Sequence, residues 1–286
     1  MARLGENSYG KSRVRLSRIT RVKDPVHGDR HLFDEWSVNV MLEGDFETSF
    51  THADNSRVLP TDTMKNTVYF VARNSKAATI EAFAMELGDY FLTGNAQVSG
   101  VLVEIEERAW ERMTVDGAPE PTTFKLGGPE VQTVRAVRDQ GHEWSLRSGV
   151  DGLTILKTTK SAFTGYIVDK LTTLKPATDR ILGTRATITW DYASDAAPDY
   201  AKARARIVSA LLKEFAAHNS MSVQHTLFDM GKAALDAAPE IARIHLSMPN
   251  LHYLLADLSA FGQDNPNHIF VPIDEPHGTI EATVER

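Results

Sequence analysis

The chain has 286 residues, of which 42% are hydrophobic and 24% charged, a composition typical of globular proteins and long enough for two domains. A net charge of −7 without any block of like charge argues against nucleic acid or an anionic membrane surface as a partner. The absence of cysteine excludes disulfides, thiolate metal sites and a cysteine nucleophile.

The chain begins with two predicted strands and then a helix. Val14 and Leu16 alternate with arginines, and apolar residues alternate with polar ones over 36–42, the period of a strand with one buried face. Thr61 is of a type that caps helices, and it precedes a predicted helix over 61–73.

A second helix and two strands complete the first half. Thr79 can cap a segment in which apolar residues recur at three- and four-residue spacing up to Phe91. Alternation over 101–105 predicts a strand, Asp116-Gly117 predicts a hairpin turn, and another strand is expected near 131–137. The predicted order is ββααββ.

The second half repeats this order of elements. Helices are indicated by apolar stripes and strands by alternation, as before. The elements are strands near 151–158 and 186–190, helices along 200–215 and 222–237, and strands near 242–260 and 269–284.

Two halves with one element order predict a duplication, although no residue-level repeat is evident. The boundary is expected near Gln140-Gly141, giving units 1–140 and 141–286. Each unit should be an antiparallel sheet with paired helices on one face, an α+β fold. Sheets with exposed edges commonly pair with other chains, so oligomerisation is expected.

Motifs for metals and common cofactors are absent from the sequence. The ten histidines include no His-Glu-x-x-His and no spacing recognisable as a ligand cluster. No Gly-rich phosphate loop follows a strand, and no Gly-x-Ser-x-Gly elbow occurs. The sequence therefore predicts no metal site and no bound cofactor.

Polar residues at strand and helix positions remain as candidates. Asn250 and His252 lie two apart on a predicted strand and should share a face. Ser222-Val223-Gln224 opens a helix, where free N–H groups favour an anion, and Thr61-Asp62 has the same character. Taken alone, each feature is better explained by an ordinary solvent-exposed face or by helix capping. The default interpretation of Lys11, Phe163 and Arg180 is a solvated lysine, a core aromatic and a surface cation.

Short motifs in a fixed order favour a functional role for these residues. They are Tyr9-Gly10-Lys11, Asp54-Asn55-Ser56, the segments 61–67, 153–159 and 161–166, Thr172-Thr173-Leu174, Asp179-Arg180, Ser222-Val223-Gln224 and the segment 249–253. In this order and spacing, from about residue 9 to the C-terminal strands, they resemble the urate oxidase family. The resemblance implies the tunnelling fold: two tandem ββααββ units per chain, with subunits joined into a barrel as a homotetramer.

The resemblance also implies an oxidoreductase that needs no cofactor. Its reaction is the oxidation of urate by molecular oxygen and water to 5-hydroxyisourate and hydrogen peroxide. Arg180 and Gln224 would clamp the purine, and Phe163 would stack on it. Asp62 and Val223 would contribute backbone N–H groups at helix starts.

The implied proton relay consists of Lys11, Thr61 and His252. Asn250 and Thr61 would line the pocket above the ring, where oxygen, peroxide or water lies. Each active site is expected to be shared between subunits, with Thr61 and Asp62 facing Lys11, Arg180, Gln224 and His252 of a neighbour.

Two alternatives remain open: a zinc-dependent purine or pterin enzyme of the same fold, and a noncatalytic purine-binding protein. The absence of cysteine weighs against the first, and retention of the relay positions weighs against the second. The N-terminal segment has no apolar signal-peptide core, and no run of about 18 apolar residues occurs. The chain ends in Val284-Glu285-Arg286 rather than a peroxisomal tripeptide, so a cytoplasmic location is expected.

Overall fold

The computed structural model describes residues 2–23, 28–193 and 198–286. The chain divides into two compact units, Met1–Gly149 and Val150–Arg286. The predicted boundary near Gln140-Gly141 lies at a turn shortly before this division, in which Gly141 has a φ of 82°.

The first unit has the predicted order ββααββ, with one additional short helix. Its strands pair antiparallel in chain order. Both residues of the predicted Asp116-Gly117 turn have positive φ, 51° and 80°, as a two-residue hairpin requires. The elements are β1 (Tyr9–Val22), β2 (Arg30–Gly44), α1 (Glu47–Thr51), α2 (Thr61–Asn74), α3 (Ile80–Gly94), β3 (Val98–Val115) and β4 (Ala118–Asp139).

The core of the first unit lies between its sheet and the pair α2 and α3. The alternating residues that predicted β2 and β3 are buried on one face, and the apolar stripes of both helices pack with them. Thr79 caps α3 as predicted, accepting the Ala82 N–H at 3.3 Å. The predicted cap at Thr61 is wrong: Pro60 occupies the cap position, its carbonyl accepts the Met64 N–H, and Thr61 is the first helical residue.

The second unit also has two strands, two helices and further strands. Its elements are β5 (Ser145–Lys157, which begins in the first unit), β6 (Leu182–Tyr192), α4 (Tyr200–Ala217), α5 (Val223–Ala237), β7 (Ile241–Ser247), β8 (Asn250–Leu255), a 3₁₀ turn (Ser259–Phe261), β9 (Phe270–Gly278) and β10 (Glu281–Glu285). Alternating residues of β6 and the apolar stripes of α4 and α5 form its core. The α+β fold with two tandem units is thus confirmed.

The last two strands predicted in the second unit are each divided in two. Residues of β6 from Thr187 onward pair with β7, whereas Gly183 and Thr184 pair with β8. In the same way β10 pairs with β7, and β9 pairs with β8. Pro249 lies at the break between β7 and β8, where a residue without an N–H interrupts the ladder.

Candidate active site

A backbone contact holds the start of α5 against the segment 161–163. The Ala162 N–H donates to the carbonyl oxygen of Ser220 at 2.7 Å. Two residues later Ser222 caps α5, and its hydroxyl oxygen accepts the His225 N–H at 3.1 Å. The cap lies where the sequence predicts it, and the helix start is fixed in position.

The first residues of α5 point in different directions. Val223 is buried in the core, whereas Gln224 is exposed. The helix geometry leaves the N–H groups of its first turn without intrahelical acceptors. The start of α5 therefore combines free backbone donors with an exposed primary amide, as the sequence predicts.

The segment 161–163 is also hydrogen-bonded to the backbone around Arg180. Phe163 and Ala177 exchange two backbone hydrogen bonds, of 2.8 and 3.1 Å, and the Arg180 N–H donates to the Ser161 carbonyl at 2.8 Å. The guanidinium lies 5.3 Å from the centre of the Phe163 ring, within cation–π range. The same ring stacks on Tyr166, with centroids 5.0 Å apart and planes 15° apart.

Arg180 is a half-buried cation without an acidic partner. No ion pair to it is found within residues 2–23, 28–193 and 198–286, and its Nε is buried without a hydrogen-bond acceptor there. Burial lowers the pKa of its guanidinium. Because an unpaired buried charge is costly, this position favours an anion or a strong acceptor. The expectation that Arg180 is a surface cation is wrong.

Asn250 and His252 both lie in β8 and are partly buried. Asn250 pairs with Thr184, whose buried Oγ1 has no partner in the described part of the chain. Between Asn250 and His252 the pairing of β8 with β9 shifts from Gly278 to Ile273. The predicted strand is confirmed, but alternation alone did not reveal this irregularity.

In the first unit, Lys11 stands at a bulge of β1. Lys11 pairs with Val40 and Val14 with Val38, so β1 has one more residue than β2 in this interval. Arg13 has a left-handed φ of 57°, and its N–H donates to the Asn39 Oδ1 at 2.7 Å. Bulges of this kind redirect side chains and are frequent near active sites.

The start of β1 is hydrogen-bonded to the segment that leads into α2. The Tyr9 hydroxyl donates to the Leu59 carbonyl at 3.1 Å and accepts the Leu59 N–H at 2.8 Å. Burial raises the pKa of this hydroxyl. Since Leu59 is followed by Pro60 and Thr61, the contact places the beginning of β1 close to the start of α2.

Asp62 lies in the first turn of α2, and its carboxylate is exposed. It accepts from Lys65 Nζ at 2.5 Å and from Asn66 Nδ2 at 3.2 Å. The Lys65 hydrogen bond is the main cause that lowers the pKa of Asp62, and the charge of Lys11 also contributes. This charge effect favours a grouping of Lys11 with Asp62 within one chain, whereas the sequence-based expectation has Asp62 facing the Lys11 of a neighbouring subunit.

The predicted site residues thus form two groups. In the second unit, backbone contacts join Phe163 and Arg180 to the start of α5, which carries Val223 and Gln224, and β8, which pairs with β6, carries Asn250 and His252. The other group, in the first unit, is Lys11, Thr61 and Asp62. The sequence missed the supports of both groups, Tyr9, Asn39 and Ser220, because their roles depend on contacts between residues far apart in the chain.

Three side chains of types that bind metals lie close together in the second unit, although the spacing of the histidines in the sequence indicates no such cluster. His218, His225 and Asp229 place one ligand atom each within 4.8 Å of one another. Burial is the main cause that lowers the pKa of His218. The spacing of His225 and Asp229, one helical turn apart in α5, could have suggested the pair, but His218 reaches it only by folding.

No helix among the described residues is both long and apolar enough to cross a membrane.

Comparison with known proteins gives one consistent result. The family model described as Uricase matches residues 7–137 and 146–281. The uricase of Arthrobacter globiformis is 40% identical over 99% of this chain and 90% of its own, and that of Cyberlindnera jadinii is 37% identical over 99% and 97%. The crystal structure of the Arthrobacter globiformis uricase covers 100% of this chain and 96% of its own with a TM-score of 0.92.

Proposed function

The chain belongs to the uricase family, and we propose that it oxidises urate with molecular oxygen and water to 5-hydroxyisourate and hydrogen peroxide. Urate is a planar, anionic heterocycle with donors and acceptors around its edge. A site for it needs a cation with several donors, an amide and a flat apolar surface. The second unit supplies these groups in Arg180, Gln224 and Phe163.

The observation that carries the proposal is the unpaired guanidinium of Arg180. The backbone fixes this residue at Ser161, yet its Nε has no acceptor among the described residues. An anion that accepts from the guanidinium would satisfy the buried donor and neutralise the buried charge. Gln224, at the start of α5, can both donate and accept along the edge of the same heterocycle.

Backbone donors and the aromatic ring complete the proposed binding group. The N–H of Val223 lies at the positive end of α5, and that of Asp62 lies at the positive end of α2. Stacking of urate on Phe163 would add a face-to-face contact. That ring already contacts Tyr166 and Arg180, so the purine would share it with these side chains.

The proposed relay consists of Lys11, Thr61 and His252. Thr61 makes no capping bond in α2, which leaves its exposed hydroxyl available to accept and pass on a proton. The bulge at Arg13 sets the direction of Lys11, which is close enough to act electrostatically on the first turn of α2. Asn250 and Thr61 would line the position of oxygen or water. Removing protons from urate makes it a better electron donor to oxygen.

We further propose a homotetramer in which each site combines the two groups from different subunits. Lys11, Thr61 and Asp62 of one subunit would meet Phe163, Arg180, Gln224, Asn250 and His252 of another. The exposure of Thr61 and Asp62 supports this arrangement, because a relay needs a substrate beside it and exposed side chains need a partner surface to exclude water. A cytoplasmic location is proposed with it.

The decisive experiment is an aerobic assay of the purified protein. Urate absorbance, oxygen and hydrogen peroxide are followed together before and after treatment with a chelator. Urate and oxygen should disappear, with release of peroxide, at the same rate in both samples. Activity that vanishes with the chelator and returns with zinc or copper would overturn the proposed chemistry.

A further inference from the structure

We propose that His218, His225 and Asp229 form a binding site for a borderline divalent metal ion, for which Zn²⁺ is the probe, and that the ion ties α4 to α5. The three side chains come from the end of one helix and the first two turns of the next. The site lies outside the proposed binding and relay groups, so its role is structural.

Two of the three distances between ligand atoms fit a tetrahedral ion, and the three atoms all lie within 4.8 Å of one another. Zn²⁺ binds imidazole nitrogen and carboxylate oxygen at about 2.0–2.2 Å, which gives edges of roughly 3.3–3.5 Å between neighbouring ligands. Asp229 Oδ2 lies 3.2 Å from His218 Nδ1 and 3.3 Å from His225 Nε2. Two edges of the tetrahedron are therefore already close to their required lengths.

The backbone holds all three ligands in place. His225 and Asp229 are one turn apart on α5, so their side chains lie on one helix face. His218 is the C-cap residue of α4, and its N–H donates to the Glu214 carbonyl at 2.9 Å. A preorganised set of ligands loses little conformational entropy when an ion binds.

Of the two histidines, His218 is buried and His225 is open to solvent. The His218 side chain is 8% exposed, and its Nε2 has no hydrogen-bond partner among the described residues. The His225 side chain is 49% exposed, which leaves a path for an ion to enter. The rings lie 4.5 Å apart and nearly perpendicular, so both can direct a nitrogen toward one point.

The other charges near the cluster are compatible with a cation. Glu214 Oε1 lies 3.8 Å from His218 Nδ1 and offers a fourth oxygen, or else water completes the shell. Lys157 is the opposing charge, but its Nζ is engaged by the carbonyl oxygens of Phe215 and His218. The ligands are imidazole and carboxylate without thiolate, a set that suits zinc, copper or nickel.

The test measures binding of Zn²⁺ to the full-length protein after removal of metals, by calorimetry and thermal unfolding. One ion per chain should bind and raise the Tm. His225→Gln and Asp229→Asn should each weaken binding at least tenfold and abolish the rise in Tm. His142→Gln, which alters an exposed histidine of the first unit, is the matched control and should leave both unchanged.

Equal Zn²⁺ binding by His142→Gln, His225→Gln and Asp229→Asn would overturn the site, as would no binding to the unaltered protein at micromolar Zn²⁺. Urate turnover is measured on the same metal-free sample. Turnover without binding would reject the metal site alone, and binding without turnover would reject the proposed reaction alone.

Discussion

The two units hold their predicted site residues in different ways. In the second unit the segment 161–163 is bonded on one side to Ser220 and on the other to Arg180, so the binding group is assembled within the chain. In the first unit Thr61 and Asp62 are exposed at a helix start. In the proposed site, the second unit alone would therefore hold the geometry that binds urate, whereas Thr61 and Asp62 would need another surface to form a closed site.

Despite this difference, the two units share the positions of a helix cap and a helix glycine. The second long helix of each unit begins at a hydroxyl cap, Thr79 or Ser222, and carries a glycine at the same distance from that cap, Gly88 or Gly231. Both glycines pack closely against core side chains of their own unit. The two units therefore resemble each other in the capping and packing of this helix.

The largest effect is expected at the centre of the second unit's group. Arg180→Ala removes the proposed charged partner of urate from a half-buried position, which typically costs about 2–5 kcal/mol, a loss of roughly 30- to 4000-fold in kcat/KM. Steady-state kinetics with urate measure it. Arg185→Ala, at an exposed position on β6, is the control and should keep kcat/KM. Equal kcat/KM in both variants would remove Arg180 from the site.

A mixed-oligomer experiment tests whether the two groups meet across subunits. Lys11→Met and Arg180→Ala are each expected to be nearly inactive. When they are reassembled together, a mixed two-fold pair would contain one site with both changes and one with neither. If about half the pairs are mixed, about one quarter of all sites should recover, by the reciprocity of the interface.

The structure adds the control that makes this experiment specific. Lys11 and Thr61 belong to the same proposed group, because the hydrogen bonds between Tyr9 and Leu59 hold the start of β1 beside the start of α2 within one chain. Lys11→Met mixed with Thr61→Ala should therefore recover no sites, because every site of a mixed pair would carry one change. Recovery in this pair, or none with Arg180→Ala in verified mixed oligomers, would contradict the proposed division.

Much of the fold followed from the sequence because strands and helices have short periods. Alternation found β2, β3 and β6, three- and four-residue spacing found α3 and α4, and signals at the helix start found α2. The break at Pro249 was missed, although the alternation of Ile244, Leu246 and Met248 changes phase there to Leu251 and Tyr253. The cap of α2 was misplaced by one residue because Thr61 is a good cap type, while Pro60 fits the same position through its fixed φ.

The site was harder to predict than the fold. The ordered motifs identified every candidate residue, but their grouping depends on tertiary contacts such as that of Tyr9 with Leu59. The bulge at Arg13 is stabilised by Asn39 from another strand, and His218 reaches Asp229 only after α4 and α5 pack. No local spacing encodes contacts of this kind.

The shared position of a helix glycine predicts equivalent packing defects. A Cβ at Gly88 would collide with the Trp144 indole, and one at Gly231 would collide with Val284. Gly88→Ala and Gly231→Ala should each destabilise the protein by about 1–3 kcal/mol, because overpacking outweighs the better helix propensity of alanine. Denaturant unfolding measures it. Gly94→Ala, where a Cβ meets nothing within 4 Å, is the control and should not be destabilised. Similar losses at all three positions would contradict the packing argument.

The smallest expected effect separates capping from function. Ser222→Ala and Thr79→Ala each remove a hydroxyl that accepts one N–H at a helix start, which typically costs about 1 kcal/mol of stability. The two losses should be similar because the caps are equivalent.

The kinetic effects of Ser222→Ala and Thr79→Ala should differ, because only Ser222 adjoins Val223 and Gln224 of the proposed binding group. Ser222→Ala should raise the KM for urate a few-fold, since the first turn of α5 frays, while Thr79→Ala should leave KM unchanged. Ser222→Thr keeps the hydroxyl and should restore both stability and KM. If Ser222→Ala lost stability without any change in KM, the start of α5 would not contact the substrate, and the binding group would have to be rebuilt around Arg180 alone.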